Sequence, residues 1–410
     1  LTKEIRKYRS DPKMGACFSV KEIKPEGGQL VARRPKSHSS QKITDSSTVT
    51  VLNEELGRGA KSVVLLCKHN PTQEYYALKK VDRSRIGVLD AKALLLEKEL
   101  LYSLNSPFVV KLYGTYKTES HAYYVTELLE GSDLSVHIRC RRNYYASDDV
   151  AGLTARAKAG LPVRARTGLP VPDIRFYLAE VVLAVQYLHT RGVIHRDIKD
   201  KNVVLRANGH VCVIDLGSAE RVNSSSSSDP DSLSHLTGTL HYTAPEVIRK
   251  EKTSPAMDWW SVGILLYHMY FGQPPWFDPF PSQLKMLITD TDIPFVSPAA
   301  DIEDKDNPHN CVCDLLRRLL DKDPVTRLGS SSGFKEIAGH PFFAAVDWKK
   351  LERAAAATSS APPAAGAGPS GGANGSSVGV QGGPPLLVPA VPADLVLEPR
   401  AADPDMWKWQ

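Results

Sequence analysis

Apolar positions along the chain follow two different periods, with polar tracts before, between and after them. Val63-Val64-Leu65-Leu66 and Tyr75-Tyr76-Ala77-Leu78 are short β-type runs on either side of the turn segment Asn70-Pro71-Thr72, the spacing of a strand pair. Leu94–Leu104 carries helical spacing, and Ala122–Leu128 reads as a further strand. From about Pro172 to Trp348 the pattern becomes helical, most clearly over Ile174–Thr190 and Trp259–Phe271. The pattern predicts an α+β chain: a small strand-rich lobe with one main helix over 49–130, then a larger, mostly helical lobe over 131–348.

The remaining tracts lack periodicity. Residues 1–48 are polar and read as a disordered leader. A stretch at about 139–169, rich in Arg, Ala and Gly with prolines at 162 and 170, reads as an inserted loop. Residues 349–410 form a low-complexity tail, an Ala/Gly/Pro/Ser tract from Ala354 onward that is too poor in apolar surface to order itself.

Composition removes several classes of function. The 410 residues are 42% hydrophobic, enough for one large core or two modest ones. Lysine and arginine (51) exceed aspartate and glutamate (46) by 5, too small an excess for a protein held to nucleic acid by phosphate contacts. The basic clusters Arg139–Arg142 and Arg156–Arg166 read as solvated faces. Six cysteines are scattered, and Cys311 and Cys313 lack the second pair that a zinc knuckle requires. They are expected to be reduced thiols of a cytoplasmic protein. No stretch offers eighteen uncharged apolar residues, so no membrane span is expected.

One segment points to a membrane surface. Met14-Gly15-Ala16-Cys17-Phe18-Ser19 satisfies the pattern for N-myristoylation if Met14 initiates. Gly15 would then carry one acyl chain and Cys17 a second, which matters because a single myristoyl group binds a membrane only marginally. Peripheral membrane contact through acylation is the expectation.

The candidate chemistry begins at Leu56-Gly57-Arg58-Gly59-Ala60-Lys61-Ser62-Val63-Val64. Glycines at 57 and 59 let backbone N–H groups approach a phosphate chain that a Cβ would block. The setting is strand–turn–strand and no Gly-Lys-Ser/Thr follows, so this is not a Walker loop, and an NTPase of that class is excluded. Lys79 lies in the apolar run Ala77-Leu78-Lys79, where an ammonium needs a partner. Glu97, on the following helix, is the candidate.

His195-Arg196-Asp197-Ile198-Lys199-Asp200-Lys201-Asn202 precedes Ile214-Asp215-Leu216-Gly217. Phosphoryl transfer needs an acceptor for the attacking hydroxyl's proton, oxygen ligands for a metal ion, and a cation near the moving group. Asp197, then Asn202 with Asp215, then Lys199 supply these, and both ligands suit magnesium.

With these motifs in order, the sequence resembles the protein-kinase superfamily over Leu56 to Trp348, which implies the bilobal kinase fold and the use of ATP and Mg2+. The resemblance assigns Lys79 to the α/β-phosphates and to Glu97, Asp197 to base catalysis, Lys199 to the γ-phosphate, and Asn202 and Asp215 to magnesium. It places Leu56, Gly57, Gly59, Ser62, Val64, Ala77, Glu127, Leu129 and Asp133 around the nucleotide. Glu246 of Ala244-Pro245-Glu246 would pair with Arg327, and Asp258 would brace the catalytic loop. Ser106-Pro107-Phe108-Val109-Val110, Phe176-Tyr177-Leu178-Ala179-Glu180, Asp323–Gly329 and His340-Pro341-Phe342-Phe343 with Asp347-Trp348 resemble the AGC group. The insert and the acylation pattern look most like its ribosomal S6-kinase-related branch. The partners implied are proteins bearing serine or threonine, an upstream activating kinase and no nucleic acid. A monomer is expected.

The departures from the pattern are specific. Ser62 replaces the third loop glycine, and Leu216 replaces a phenylalanine. Lys201 and His268 stand where basophilic relatives carry glutamate, which weakens selection for arginine two residues before the target. His235 stands where group members carry a phosphorylated threonine that Arg196 would bind. Ser232 or Ser234 substitutes, or the segment is held without phosphate, and Thr237 and Thr239 complete the candidate activation residues. Thr239 is assigned to contact Asp197 and Lys199. No Phe-x-x-Phe docking motif follows, but Trp407 and Trp409 close the chain and could fill the same pocket. An ATP-binding pseudokinase or scaffold is the alternative that these departures leave open.

Overall fold

The computed structural model describes residues 43–59, 61–148, 168–222, 240–252, 254–294 and 308–360. They divide by their contacts into two compact units, the first spanning 43–85 and 112–128 with 357–360, the second 86–111 and 129–356.

The first unit is an antiparallel sheet of β1 (Val49–Arg58), β2 (Ser62–His69), β3 (Glu74–Asp82), β4 (Leu112–Lys117) and β5 (His121–Glu127). The strand order is β1-β2-β3-β5-β4, so each sequential pair is a hairpin except where β5 inserts between β3 and β4. The register Cys67↔Tyr76 and Leu78↔Val125 gathers these four residues into one buried cluster. Opposed residues share a face, so the pairings Val64↔Lys79 and Leu66↔Ala77 place Val64, Ala77 and Lys79 together on the other side.

Ile43 joins the buried cluster at 3% exposure, although the sequence pattern leaves it in a disordered leader. Its N–H donates to the Tyr113 carbonyl (3.1 Å), so the segment lies along β4 and covers an edge strand. Gly114 makes room for it, since a Cβ there would fall 1.9 Å from the Ile43 carbonyl oxygen. Burial of one isoleucine and capture of an edge carbonyl order a stretch whose own composition is polar.

The second unit contains α1 (Val88–Ser103), α2 (Leu134–Asp148), α3 (Val171–His189), α4 (Pro245–Ile248), α5 (Ala256–Phe271), α6 (Pro281–Asp290), α7 (Pro308–Leu319), α8 (Phe334–Ala338) and, as far as Ala356, α9 (Trp348–Ser360). Two small ladders accompany them: β6 (Val193–Ile194) with β9 (Glu220–Arg221), and β7 (Val203–Leu205) with β8 (Val211–Val213). α3 and α5 pack together and are buried on nearly every side, which is the pattern of a helix at the centre of a core rather than on its surface. α7 packs on α5 at Gly263, where a Cβ would meet the Leu320 side chain at 2.8 Å.

Two boundaries differ from the sequence reading. The insert expected from residue 139 begins inside a helix, because α2 continues to Asp148, anchored by Ile138 and Cys140, which are 1% and 4% exposed. The tail expected to lack order from Ala354 is helical to Ser360. Alanine has the highest helix propensity, and buried Leu351 and Ala355 dock this helix, with Trp348 packing against Phe343 and Phe334 at ring separations of 5.3 and 5.0 Å. α1, which the hydrophobic pattern places with the strands, clusters with the second unit. Among the described residues no helix is long and apolar enough to cross a membrane, and no group of three or more His, Cys, Asp or Glu side chains could hold a metal ion.

Candidate active site

The second unit builds the site around a buried carboxylate. Asp258 lies fully buried in the first turn of α5 and accepts the backbone N–H groups of His195 (2.9 Å) and Arg196 (2.8 Å) and the Nε2–H of His189 (2.8 Å). Burial alone would raise its pKa, but the hydrogen bond and charge of His189, with the backbone N–H of His195, hold it below the ordinary carboxylate value. The anchorage fixes a turn in which Arg196 adopts φ +65°, a conformation that costs a non-glycine residue about 1–3 kcal/mol and persists only when its surroundings enforce it.

His195 links this turn to the segment after β8. Its Nδ1 accepts the Asp197 N–H (3.2 Å), which leaves the Nε2–H to face the Ile214 carbonyl (3.3 Å). The Ile214 N–H in turn donates to the Asn202 carbonyl (2.9 Å). The two candidate metal-ligand segments are therefore tied backbone to backbone.

Within this frame the structure brings Asp197, Lys199 and Asn202 together. Lys199 Nζ lies 2.9 and 2.7 Å from the two Asp197 carboxylate oxygens. Asn202, 5% exposed, donates its Nδ2 to the Asp197 carbonyl (2.8 Å) and to Oδ2 (2.9 Å). That commits the amide nitrogen and leaves the amide oxygen as the group able to face a cation. Asp215 takes φ +62° and its Oδ1 accepts the Gly217 N–H at 3.3 Å. A Cβ on Gly217 would stand 3.1 Å from Asp215 Oδ1 and 3.6 Å from Glu97 Oε2, so α1 delivers Glu97, 2% exposed, to the same turn. Leu216 is 1% exposed and fills its apolar site.

Two further groups hold the surroundings. Arg327 donates to both Glu246 oxygens (2.7 and 2.8 Å), with both side chains fully buried. It also donates to the carbonyls of Ala256 (2.9 Å) and Asp321 (3.0 Å). Asp133 Oδ1 accepts the Ser135 hydroxyl and the Val136 N–H (3.2 Å), which makes it a cap on α2.

In the first unit, Gly57 and Gly59 close β1 and enter the turn, where the Gly59 N–H donates to the Ser62 carbonyl (2.8 Å). Lys79 is half-buried in β3 and Leu56 is 38% exposed in β1. Glu127 ends β5 in this unit, whereas Leu129 and Asp133 belong to the second. Lys79 and Glu97 likewise fall in different units. Gly15, Cys17, Ser232, Ser234, Thr237, Thr239, Trp407 and Trp409 lie outside the described residues.

Sequence reasoning passed over three groups. His189 sits on the buried Asp258. Glu220 Oε2 accepts from Arg196 Nη1 at 2.6 Å. Asp200 faces His268 (3.6 Å), which also meets the Tyr242 hydroxyl (3.0 Å). His189 and Glu220 lie in no spaced motif, and Asp200 lies within one but was given no role there, since each partner comes from a remote stretch of chain. The only signal was charge: an acid at 200 beside the lysines at 199 and 201, and an acid at 220 close after Asp215.

Comparison with known proteins agrees with this geometry. The family model described as "Protein kinase domain" matches residues 50–343. The human serine/threonine-protein kinase Sgk2 is 31% identical over 329 residues, 77% of this chain and 76% of its own length. Sgk1 of Xenopus tropicalis is 28% identical over 338 residues, 80% of this chain and 69% of its own. A Dictyostelium discoideum protein named "Probable serine/threonine-protein kinase" is 31% identical over 320 residues, 76% of this chain and 60% of the relative. With Asp197, Lys199 and Asn202 held together on a loop clamped by Asp258, the chain belongs to the protein kinase family, and its domain is an AGC-group serine/threonine kinase domain.

Proposed function

We propose that this protein transfers the γ-phosphoryl group of ATP to seryl and threonyl hydroxyls of other proteins, with Asp197 accepting the hydroxyl proton. The observation that carries the reading is the geometry of Asp197, whose carboxylate is oriented by Lys199 and Asn202 on a loop fixed to Asp258. The ammonium of Lys199 lies against that carboxylate and stands where negative charge develops on the moving phosphoryl group. Asn202, through its amide oxygen, and Asp215 would hold magnesium; an all-oxygen pair fits an ion that takes one or two protein ligands and completes its shell with phosphates and water. Magnesium when bound neutralises the phosphate oxygens.

The remaining roles follow the same reading. Lys79 binds the α/β-phosphates and pairs with Glu97, the backbone at Gly57, Gly59 and Ser62 covers the phosphates, and Leu56, Val64, Ala77, Glu127, Leu129 and Asp133 surround the rest of the nucleotide. Substrate selection is weak for arginine two residues before the target, because Lys201 is exposed and cationic and the Asp200 carboxylate, 10% exposed, is turned to His268. A peptide array with strong arginine selection there contradicts this. Acyl chains on Gly15 and Cys17 would hold the protein at a membrane surface, which intact-mass measurement of cellular protein tests.

The deciding experiment is transfer of labelled phosphate to a generic protein substrate with magnesium and ATP. Transfer by the wild type and its loss in Asp197→Ala and Lys79→Met supports the reading. An inactive wild type, or transfer that survives both substitutions, rules it out.

A further inference from the structure

β9 is two residues long, yet its side chains reach two different parts of the second unit. It pairs antiparallel with β6, Ile194 opposite Glu220, and the Val222 N–H extends the pairing to the Gly192 carbonyl at 2.7 Å. Successive residues of a strand point to opposite faces. Glu220 therefore turns to Arg196 while Arg221 turns away to Glu99 of α1, Nη2 to Oε1 at 2.8 Å.

The two ion pairs differ in kind. Arg221 and Glu99 are 37% and 65% exposed, a solvated contact of small net effect. Arg196 is 10% exposed and Glu220 26%, at 2.6 Å. The Arg196 Nε–H also donates to the Ser218 carbonyl (2.6 Å), and its backbone is locked at positive φ by Asp258. Burial lowers the guanidinium pKa, and the charges of Glu220 and Asp258 oppose that. A guanidinium this enclosed requires an anion, and the chain provides one five residues beyond Asp215.

We infer that Glu220 is a positioning residue, whose carboxylate is the anion that seats Arg196 and with it the catalytic loop, so that transfer proceeds without a phosphate on the activation segment. The inference rests on the kinase reading. It also accounts for His235 at a position where the resemblance expects a phosphorylated threonine: with the charge requirement of Arg196 met from β9, that position is released to carry a residue that cannot be phosphorylated as threonine is.

The test uses the full chain, treated with a nonspecific protein phosphatase until intact mass shows no phosphate, and checked by mass again after the assay. The dephosphorylated wild type is expected to keep its kcat. Glu220→Gln, which removes the charge at constant shape, is expected to lower kcat roughly 100-fold, the scale of a displaced catalytic group, with KM for ATP nearly unchanged. Glu220→Asp is expected to recover part of the loss, and Arg221→Ala to stay within about twofold of wild type. A melting temperature close to wild type separates loss of positioning from loss of fold. If Glu220→Gln does not fold, the phosphatase arm decides, since it requires no variant. A wild type that loses activity on dephosphorylation, or a Glu220→Gln with wild-type kcat, overturns the inference and leaves the kinase reading standing. A wild type inactive in both states overturns both.

Discussion

Asp197 is where a single substitution reports most directly on the chemistry. In the proposed reaction Asp197 is the general base, whose removal costs about 10²–10⁴ in rate, so Asp197→Asn should lower kcat by that factor while nucleotide still raises the melting temperature. Asp258 acts one step back. Asp258→Asn cannot accept from His189, His195 and Arg196 together as the carboxylate does, so both kcat and stability should fall. Because the folded-state pKa of Asp258 is depressed, its stabilisation is present above the unfolded carboxylate value of 3.8 and is lost as pH falls through the lower folded value.

Asp173, in the first turn of α3, behaves in the opposite way. Burial pushes its carboxyl up to about 6 from 3.8, against a smaller pull from Arg141. A raised folded-state pKa means that stability is greatest below 3.8 and declines as pH rises through about 6. Asp173→Asn should raise stability at pH 7 by up to about 3 kcal/mol and flatten the pH dependence between 4 and 7. Thermal melts of the two proteins across that range check it; equal melting temperatures at pH 7 would refute it.

At the scale of elements, close backbone approaches decide what the hydrophobic pattern leaves open. Gly329 has φ +94°, and a Cβ there would come within 2.6 Å of the Trp259 ring. Gly329→Ala combines a left-handed backbone penalty of about 1–2 kcal/mol with overpacking of about 1–3 kcal/mol, and chemical denaturation should show a loss of that order. Gly114→Ala tests the docking of Ile43 on β4. The Ile43 carbonyl must move, so the amide of Ile43 should lose hydrogen-exchange protection while α3 and α5 keep theirs. β2, β3, β5 and the two central helices could be read in advance, because a core-facing run repeats its apolar signal. The ordering of Ile43, of α2 past Arg139 and of α9 past Ala354 could not, because each depends on a partner surface made by distant chain.

At the scale of the molecule, the fully buried pair Glu246–Arg327 joins α4 to the turn after α7. Removing one partner strands a charge, so Arg327→Ala should cost about 3–5 kcal/mol in a denaturant titration. A double replacement by apolar residues of similar volume should cost much less, because no unpaired ion remains. Equal losses in the single and double variants would show that packing, not charge, holds this region.

The order and spacing of residues were sufficient to determine the class of chemistry: Lys79, Asp197, Lys199, Asn202 and Asp215 are types that phosphoryl transfer requires, and they stand in short local segments. The main strands and the two central helices were legible for a related reason, since local propensity and apolar period act over a few neighbouring residues. Tertiary structure alone decided which charge neutralises which. Arg196 meets Glu220, Asp258 meets His189, and Asp200 meets His268 across separations of 24, 69 and 68 residues. An ion pair leaves no period in a sequence; it forms because folding removes both groups from water and leaves each the other as the best available partner.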